Sequence, residues 1–370
     1  MAHSQYAQIL VAICTQKRMS NPKEFWASKK VLVTGHAGFK GAWLSEWLLE
    51  LGAEVSGYGL LPAEPALFNQ LNLAERLNHL EGDIRDLPEL SAFIKAAAPE
   101  IVFHMAAQPL VRKSYIDPVE TFSTNVMGTV NVLEACRSLP SLRAVIVIST
   151  DKCYENKEWH WGYRENDPLG GHDPYSSSKA CAELVTNAYR ASLFDSQVGL
   201  ASVRAGNVIG GGDWAADRLI PDAIRAFIKK QPVIIRYPKA IRPWQHVFEP
   251  LRGYLMLAQR LAEDSNALAG AWNFGPQEQG TRSVQWVMEH LCKLWPNESS
   301  WRHDATPQPH EATCLKLDCA KAHAALDWWP ALSLEEALGL TVDWYAAHER
   351  GEDMAGVTQL QLRHYIKNHG

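Results

Sequence analysis

The sequence lacks the features that would place it in a membrane or an oxidising compartment. It has no run of about 18 or more apolar residues, the length needed to span a bilayer. The apolar run Ile9–Cys14 is too short for a signal peptide and has no basic start. The seven cysteines are scattered and form no Cys-x-x-Cys pair, which argues against a disulfide framework or a zinc site. The sequence therefore predicts reduced thiols, no metal and a cytoplasmic protein.

An excess of positive charge is also missing. The formal net charge is -5, with 36 Lys and Arg against 41 Asp and Glu. This balance provides no basic field for nucleic acid or for an anionic membrane surface. The chain has 370 residues, of which 46% are hydrophobic, so it can bury a sizeable core. A phosphorylated small molecule bound at a local site suits this balance better than a polymer.

The chain alternates short apolar runs with stretches of helical periodicity. Strands that alternate with helices predict an α/β fold, a doubly wound parallel (Rossmann) sheet, with a smaller mixed α/β C-terminal substrate subdomain. The predicted strands are Val31–Val33, Glu54–Tyr58, a short run before Gly82, Ile101–His104, Ala144–Ser149 and Val198–Ala205. The predicted helices are Ala42–Leu51, Leu87–Ala98, Pro118–Leu139 and Pro174–Leu193.

Four segments follow from this pattern. Residues 1–26 are expected to be a disordered extension, with an upstream start codon ahead of Met19 as the alternative for the first part. Residues 27–206 form the predicted dinucleotide-binding domain. Residues 207–345 form the predicted substrate subdomain, with part of 240–260 returning to the first domain. Residues 346–370 are left as a C-terminal tail.

A glycine-rich loop, Gly35–Gly41, lies between the first predicted strand and helix. Its Gly-x-x-Gly-x-x-Gly spacing lets the backbone approach a pyrophosphate, which then sits at the helix N-terminus. The second strand ends in Tyr58-Gly59-Leu60-Leu61, without the acidic residue that binds the ribose of NAD and without an arginine for a 2′-phosphate. We expect NAD, with NADP as the less favoured alternative.

Two further strand ends contain cofactor candidates. Asp83 follows the third strand, where it could accept a hydrogen bond from an adenine amino group or could cap the next helix. The sequence favours neither the adenine contact nor the helix cap for Asp83. The small residues Ala106 and Ala107, with Gln108, follow the fourth strand, where a backbone can pass close to a cofactor.

Tyr175 and Lys179 have the i, i+4 spacing of one helix face. A nearby ammonium is expected to lower the pKa of the phenol and make it a usable base. The pair follows the fifth strand, which ends at Ser149-Thr150.

Together these motifs resemble the extended short-chain dehydrogenase/reductases, from about residue 27 to 345. The resemblance implies hydride transfer to a nicotinamide, with Tyr175 as the base and Lys179 holding the nicotinamide ribose. Asn125 matches the helix asparagine of that class. The implied cofactor-binding residues are Gly35, His36, Gly38, Phe39, Lys40, Gly41, Asp83, Ile84, Ala106, Ala107, Gln108, Asn125, Ser149, Tyr175 and Lys179.

Within that class the chain resembles the CDP-glucose 4,6-dehydratases. Asp151-Lys152 after Ser149-Thr150 matches them, and the loop GHAGFKG differs from their GHTGFKG only at Ala37. Pro62–Phe68, Asn207–Trp214 and Arg242–Val247 are also similar to that family.

This resemblance implies dehydration of CDP-D-glucose to CDP-4-keto-6-deoxy-D-glucose, feeding deoxysugars of bacterial surface polysaccharide. Tyr175 would take the O4 proton while Thr150 hydrogen-bonds O4. Lys152 would remove the C5 proton and Asp151 would protonate O6, although these two roles can be exchanged or shared. Three alternatives stay open: a 4,6-dehydratase of another nucleotide-hexose such as a UDP-sugar, a nucleotide-sugar 4-epimerase, and a non-catalytic NAD-binding module.

Substrate contacts are predicted beyond residue 206. A guanidinium binds phosphate in a bidentate manner, which favours Arg236 and Arg242 as pyrophosphate ligands, with solvated surface positions as the alternative. The full predicted substrate set is Asn207, Arg218, Leu219, Arg236, Arg242 and Gln245.

Two further expectations concern the glycine loop and assembly. His36 and Lys40 are bulky for a phosphate loop, so we expect the cofactor to be held less firmly than in relatives with small residues there. Two sheet-flanking helices could form a four-helix contact, which predicts a homodimer or homotetramer.

Overall fold

The computed structural model describes residues 21–62, 64–304, 306 and 314–370. The strands within these residues are β1 (Lys30–Thr34), β2 (Glu54–Gly59), β3 (Asn78–Glu81), β4 (Ile101–His104), β5 (Ala144–Ile148), β6 (Gly199–Ala205), β7 (Asn207–Ile209), β8 (Val233–Ile235), β9 (Ile241–His246), β10 (Gly270–Phe274), β11 (Thr281–Ser283) and β12 (Trp301–His303).

The α-helices within the described residues are α1 (Pro22–Trp26), α2 (Phe39–Glu50), α3 (Leu67–Gln70), α4 (Leu73–Arg76), α5 (Leu87–Ala97), α6 (Val111–Ile116), α7 (Pro118–Phe122), α8 (Gly128–Arg137), α9 (Pro174–Ser192), α10 (Leu219–Ile228), α11 (Phe248–Glu263), α12 (Val284–Leu294), α13 (Ala320–Leu326), α14 (Leu334–Glu349) and α15 (Met354–His369). None of these helices has the length and apolar character needed to cross a membrane.

The main sheet has seven parallel strands in the order β10-β6-β5-β4-β1-β2-β3. Successive side chains of a strand point to opposite faces, and both faces are buried here. Val31 and Val33 of β1 pack into one hydrophobic cluster, whereas Leu32 packs into the other. This sheet, covered by helices on both faces, confirms the predicted doubly wound fold.

The predicted helix Pro118–Leu139 is interrupted. Between α7 and α8 the segment Ser123–Met127 is a π-helical turn. Such turns insert an extra residue and recur at functional sites. The side chain of Asn125, inside this turn, hydrogen-bonds the main chain of Gln108 in the loop after β4. This tertiary contact accompanies a distortion that helical periodicity alone does not indicate.

The later strands divide between the main sheet and two small ones. β7, β9 and β11 form a three-stranded sheet, and β8 pairs with β12. α11 packs against β5 and β6. The sequence predicts that part of 240–260 returns to the first domain, and α11 lies there against the main sheet. The later strand β10 also belongs to the main sheet, because it pairs with β6.

The two chain ends differ from the predicted extension and tail. Residues 1–20 of the predicted extension lie outside the described residues. Residues 22–26 form α1, and Trp26 is 1% exposed because its ring fills the core near Phe103. In the C-terminal segment, α15 buries Tyr365 against the rings of Trp47 and Phe248. Apolar packing therefore incorporates residues 22–26 and α15 into the fold.

Candidate active site

The glycine loop has the geometry of a pyrophosphate cradle. Gly35 has φ 72°, and a Cβ there would lie 2.6 Å from the backbone nitrogen of Ala106. A Cβ on Gly41 would lie 2.1 Å from the carbonyl oxygen of Gly35, so neither position accepts a side chain. At Gly38 the nearest atom would be 3.4 Å away, which leaves this part of the loop open at the N-terminus of α2. The residues present fit a dinucleotide pyrophosphate.

His36 does not extend over this cradle. Its ring is fully buried under Gly57 of β2 and lies 5.2 Å from the ring of Phe68 and 5.6 Å from that of His79. Burial, with the neighbouring His79, lowers the pKa of His36 to about 4, so the ring is neutral. The sequence analysis expects the bulk of His36 to weaken the binding of the pyrophosphate. That reason is wrong, because apolar packing turns the His36 side chain into the core.

Lys40 lies among the catalytic groups. Burial, together with the charges of Arg218 and Lys179, lowers the pKa of its ammonium to about 7. The carboxylates of Asp151 and Asp213 act in the opposite direction. Lys40 therefore lies near the predicted catalytic residues Asp151 and Lys179 as well as in the glycine loop.

The structure decides one of the two interpretations of Asp83. Asp86, not Asp83, is the N-cap of α5, because its side chain accepts a hydrogen bond from the backbone N–H of Glu89 at 3.0 Å. Asp83 forms an ion pair with Arg85 at 2.5 Å, and this hydrogen-bonded contact lowers the pKa of Asp83. The capping interpretation is wrong, and adenine recognition by Asp83 and the adjoining Ile84 stays a prediction.

Asn125 joins the cofactor side of the site to the catalytic helix. Its amide donates to the carbonyl of Gln108 at 3.1 Å and to the hydroxyl of Ser178 at 2.8 Å, and it accepts from the Gln108 N–H at 2.8 Å. The Ser178 hydroxyl in turn donates to the Tyr175 carbonyl at 2.7 Å. This network holds the loop that contains Ala106 and Ala107 against the first turns of α9.

Thr150 brings the catalytic side chains together. It follows β5 and Ser149, and it caps a 3-10 turn formed by Asp151–Cys153. Its hydroxyl donates to Asp151 Oδ1 at 3.0 Å and lies close enough to the phenol of Tyr175 to lower the pKa of that phenol. The Lys179 ammonium donates to the carbonyl of Ile148, the last residue of β5, at 2.8 Å. The structure thus places the predicted catalytic groups at the carboxyl end of one strand.

The pKa values of this group follow from burial. Burial raises the pKa of Tyr175 to about 12, while Thr150 and Arg218 lower it. The expected lowering by Lys179 is not what the structure shows, because burial of the phenol outweighs the charges around it. Burial also raises the pKa of Asp151, whose Oδ2 has no hydrogen-bond partner among the described residues. A buried carboxyl with a raised pKa can donate a proton near neutral pH.

The structure distributes the predicted substrate residues over several helices and strands. Arg218 is the N-cap residue of α10, which begins at Leu219, and it pairs with Asp213 at 2.8 Å. The charge of Arg242, on β9, lowers the pKa of Asp151, so both arginines lie near the catalytic groups.

The remaining substrate candidates lie in the strands around them. Asn207 begins β7 and pairs with Trp244 of β9. The amide of Gln245, also on β9, donates to the Phe274 carbonyl at 2.8 Å, and the residue is 3% exposed. Arg236 follows β8, and its charge lies near Asp304. Its role toward a pyrophosphate stays a prediction.

Sequence reasoning did not single out two carboxylates. Asp213 binds Arg218 and lies near Lys40, and Glu183 lies one helical turn after Lys179. The i, i+4 spacing from Lys179 on the buried face of α9 is a signal that could have identified Glu183. No group of three or more His, Cys, Asp or Glu residues is placed to hold a metal ion within the part of the chain that the structure describes.

Known proteins resemble this chain in sequence and in fold. The family model described as GDP-mannose 4,6 dehydratase matches residues 32–341. CDP-glucose 4,6-dehydratase of Salmonella typhimurium is 53% identical over 93% of this chain and 98% of its own length.

Two solved structures superimpose closely. The dTDP-glucose 4,6-dehydratase DesIV of Streptomyces venezuelae, with NAD and TYD bound, has a TM-score of 0.76 at 23% identity, over 88% of this chain and 99% of that one. The UDP-glucose 4-epimerase of Thermus thermophilus in complex with NAD has a TM-score of 0.73 at 26% identity, over 87% of this chain and 99% of that one.

The sequence matches and the sheet order agree with one another. The glycine loop fits a dinucleotide pyrophosphate, and the Thermus thermophilus structure has NAD bound. The chain belongs to the nucleotide-sugar dehydratase family of the extended short-chain dehydrogenase/reductases, and its predicted resemblance to the CDP-glucose 4,6-dehydratases is confirmed.

Proposed function

We propose that this chain converts CDP-D-glucose to CDP-4-keto-6-deoxy-D-glucose and uses NAD rather than NADP. The observation that carries the proposal is the grouping of three side chains, in which the Thr150 hydroxyl donates to Asp151 and lies near the Tyr175 phenol. The phenol of Tyr175, which would take the proton of the sugar O4, thus lies near the buried carboxyl of Asp151, whose pKa is raised. A 4-epimerase needs the phenol but has no use for a second acid. The relative that is 53% identical supports the cytidine nucleotide as the carrier.

The residues divide the reaction between them. When bound, the dinucleotide accepts hydride from C4 and returns it to C6. Tyr175 takes the O4 proton, and Thr150 hydrogen-bonds that oxygen as the ketone forms. The ketone acidifies the C5 proton, which Lys152 removes and later returns to C5 when hydride is delivered to C6. Asp151 protonates the departing O6, so one water leaves.

The preference for NAD rests on the end of β2. The residues that follow Tyr58 there are Gly59, Leu60 and Leu61, and Leu60 is 64% exposed, so no cation is available for a 2′-phosphate at this point. The nearby Arg85 is already paired with Asp83. An NADP 2′-phosphate would have to compete with that carboxylate. Isothermal titration with both dinucleotides tests this, and we expect tighter binding of NAD.

The substrate assignment is tested by incubating the protein separately with the CDP-, UDP-, GDP- and dTDP-glucoses and NAD. The expected result is a 4-keto product from CDP-glucose, detected by its absorbance in base, with no net reduced cofactor. Product from UDP-glucose alone would indicate a dehydratase of another nucleotide-hexose. Net reduced cofactor would indicate a simple dehydrogenase, and a sugar inverted at C4 an epimerase. Cofactor binding without turnover of any of the four would indicate a binding module.

A further inference from the structure

A buried ion pair lies directly behind the catalytic centre. The side chains of Glu183 on α9 and Arg204 on β6 are both 3% exposed. Arg204 donates from Nε to Glu183 Oε1 at 2.9 Å and from Nη2 to Oε2 at 2.8 Å. The hydroxyl of Ser202 adds a third bond to Glu183 Oε2 at 2.6 Å. This bidentate geometry fixes both the distance and the orientation of the two elements.

The pair reaches both catalytic elements. Glu183 lies one helical turn beyond Lys179 and two beyond Tyr175, on the same helix. On the other side, Arg204 Nη1 donates to the hydroxyl of Tyr154 at 2.7 Å. Tyr154 is the residue directly after the 3-10 turn that contains Asp151 and Lys152. The Tyr154 hydroxyl then donates to Asn273 Oδ1 at 2.7 Å, which ties the turn to β10.

Stability alone does not explain such a pair. Two buried charges have a large desolvation cost, and apolar residues of similar volume would often stabilise the fold equally well. What apolar residues would not supply is a directional link from α9 through β6 to the 3-10 turn. Glu183 also supplies a negative charge near Lys179, where it opposes the lowering of the Lys179 pKa by burial.

We propose that Glu183, Arg204 and Tyr154 are positioning residues that hold the turn with Asp151 and Lys152 against the helix with Tyr175 and Lys179. One bound sugar then meets the oxidising groups and the dehydrating groups without moving. The inference rests on the proposed function, because only a dehydratase needs both sets of groups. It assigns Tyr154 to the dehydration half of the reaction and Glu183 to the oxidation half.

Tyr154→Phe is the sharpest test, because it removes one hydroxyl and keeps the ring. The matched control is Tyr163→Phe. The Tyr163 ring stacks on that of Tyr154 at 5.1 Å, but its hydroxyl bonds Asn156 and the backbone of Lys157 in the following loop. Both variants lose a buried phenolic hydrogen bond, and only Tyr154→Phe removes the hydrogen bond to Arg204.

The measurement is a single turnover of CDP-glucose followed at 340 nm, with unfolding temperatures recorded alongside. In Tyr154→Phe we expect reduced cofactor to appear at nearly the wild-type rate and to decay about tenfold more slowly, since C4 is oxidised but water is lost slowly. Tyr163→Phe should match the wild type in both phases. A merely structural role predicts that both phases of Tyr154→Phe slow together, or that the two variants behave alike, and either result would overturn the inference.

Glu183→Gln tests the other half. It should slow the appearance of reduced cofactor and shift the pH profile of that phase, because Lys179 loses its carboxylate neighbour. If this variant does not fold, Ser202→Ala removes a single bond to Glu183 and should slow the same phase to a smaller extent. An effect on the decay phase alone would contradict the assignment. Wild-type protein that makes no keto product from CDP-glucose would overturn the proposed function and this inference with it.

Discussion

The ammonium of Lys40 lies close to two other cations, Lys179 and Arg218. Its pKa is lowered to about 7, so the side chain is charged below that pH and neutral above it. The nicotinamide ring of oxidised NAD is itself cationic. We therefore expect NAD to bind more weakly as the pH falls from 8 to 6, by up to about tenfold, which corresponds to roughly one pKa unit of coupling.

Lys40→Met should bind NAD more tightly at pH 6 and show little change between the two pH values, as measured by isothermal titration. Lys95→Met, at an exposed position of α5, is the control and should behave like the wild type. A pH dependence that persists in Lys40→Met would assign it to another group.

The roles of Asp151 and Lys152 can be separated by solvent exchange. Asp151→Asn keeps the shape of the side chain but donates no acidic proton, so we expect water loss to slow by about 100-fold, the range for loss of a general acid. Exchange of the C5 proton in D2O, followed by NMR, should continue in this variant and cease in Lys152→Met. The reverse pattern would exchange the two roles.

At the scale of elements, α2 and α14 hold the loop that leads to Asp213. The Trp43 indole donates to the Gly211 carbonyl at 2.9 Å, and a Cβ on Gly211 would lie 2.0 Å from the Trp344 ring. Gly211→Ala must displace that ring, so we expect a loss of about 1–3 kcal/mol in the free energy of unfolding. Weaker CDP binding should accompany it, because the same loop ends at the Asp213–Arg218 pair.

The control is Gly339→Ala on the same helix, where an added Cβ meets no atom within 4 Å. Alanine is the better helix former by about 0.5–1 kcal/mol, so this variant should be slightly more stable than the wild type. Thermal unfolding of both variants checks the pair of expectations. Equal melting temperatures would mean that the ring of Trp344 moves at no cost.

Elements set by local sequence were predictable, and those set by distant contacts were not. β1, β4 and α9 lie within a residue of their predicted bounds, because apolar periodicity and flanking Gly and Pro residues define them. The π-helical turn accompanies the contact of Asn125 with a loop 17 residues away in sequence. Likewise, motifs predicted Tyr175, Lys179 and Thr150, whereas Glu183 has a role only once β6 brings Arg204 to it.

At the scale of the whole molecule, α7 and its neighbours leave an apolar face open to solvent. Val119 is 78% exposed and Phe122 37%, with Met127 and the α9 residue Leu184 also exposed at 53% and 58%. α7 and α8 pack against α9, which packs against β6, so this face belongs to helices that flank the main sheet. A contiguous apolar face of this kind is typical of a protein interface.

We therefore expect Val119→Glu to shift the protein toward the monomer in light-scattering measurements. Leu360→Glu places the same charge on α15, at a residue 71% exposed, and should leave the mass unchanged. Equal masses for both variants and the wild type would place the interface elsewhere or exclude it.

The position of β10 also bears on how the chain folds. During synthesis β6 emerges with a free edge, and the strand that covers it is made only after β7, β8, β9 and α11. β6 is buried along its whole length, so its open edge would offer unpaired backbone groups to any passing strand. A fragment that stops at residue 206 would keep that edge permanently and should self-associate. We therefore expect the dinucleotide-binding half not to fold independently, because about half of the substrate segment must be synthesised before β10 can pair with β6.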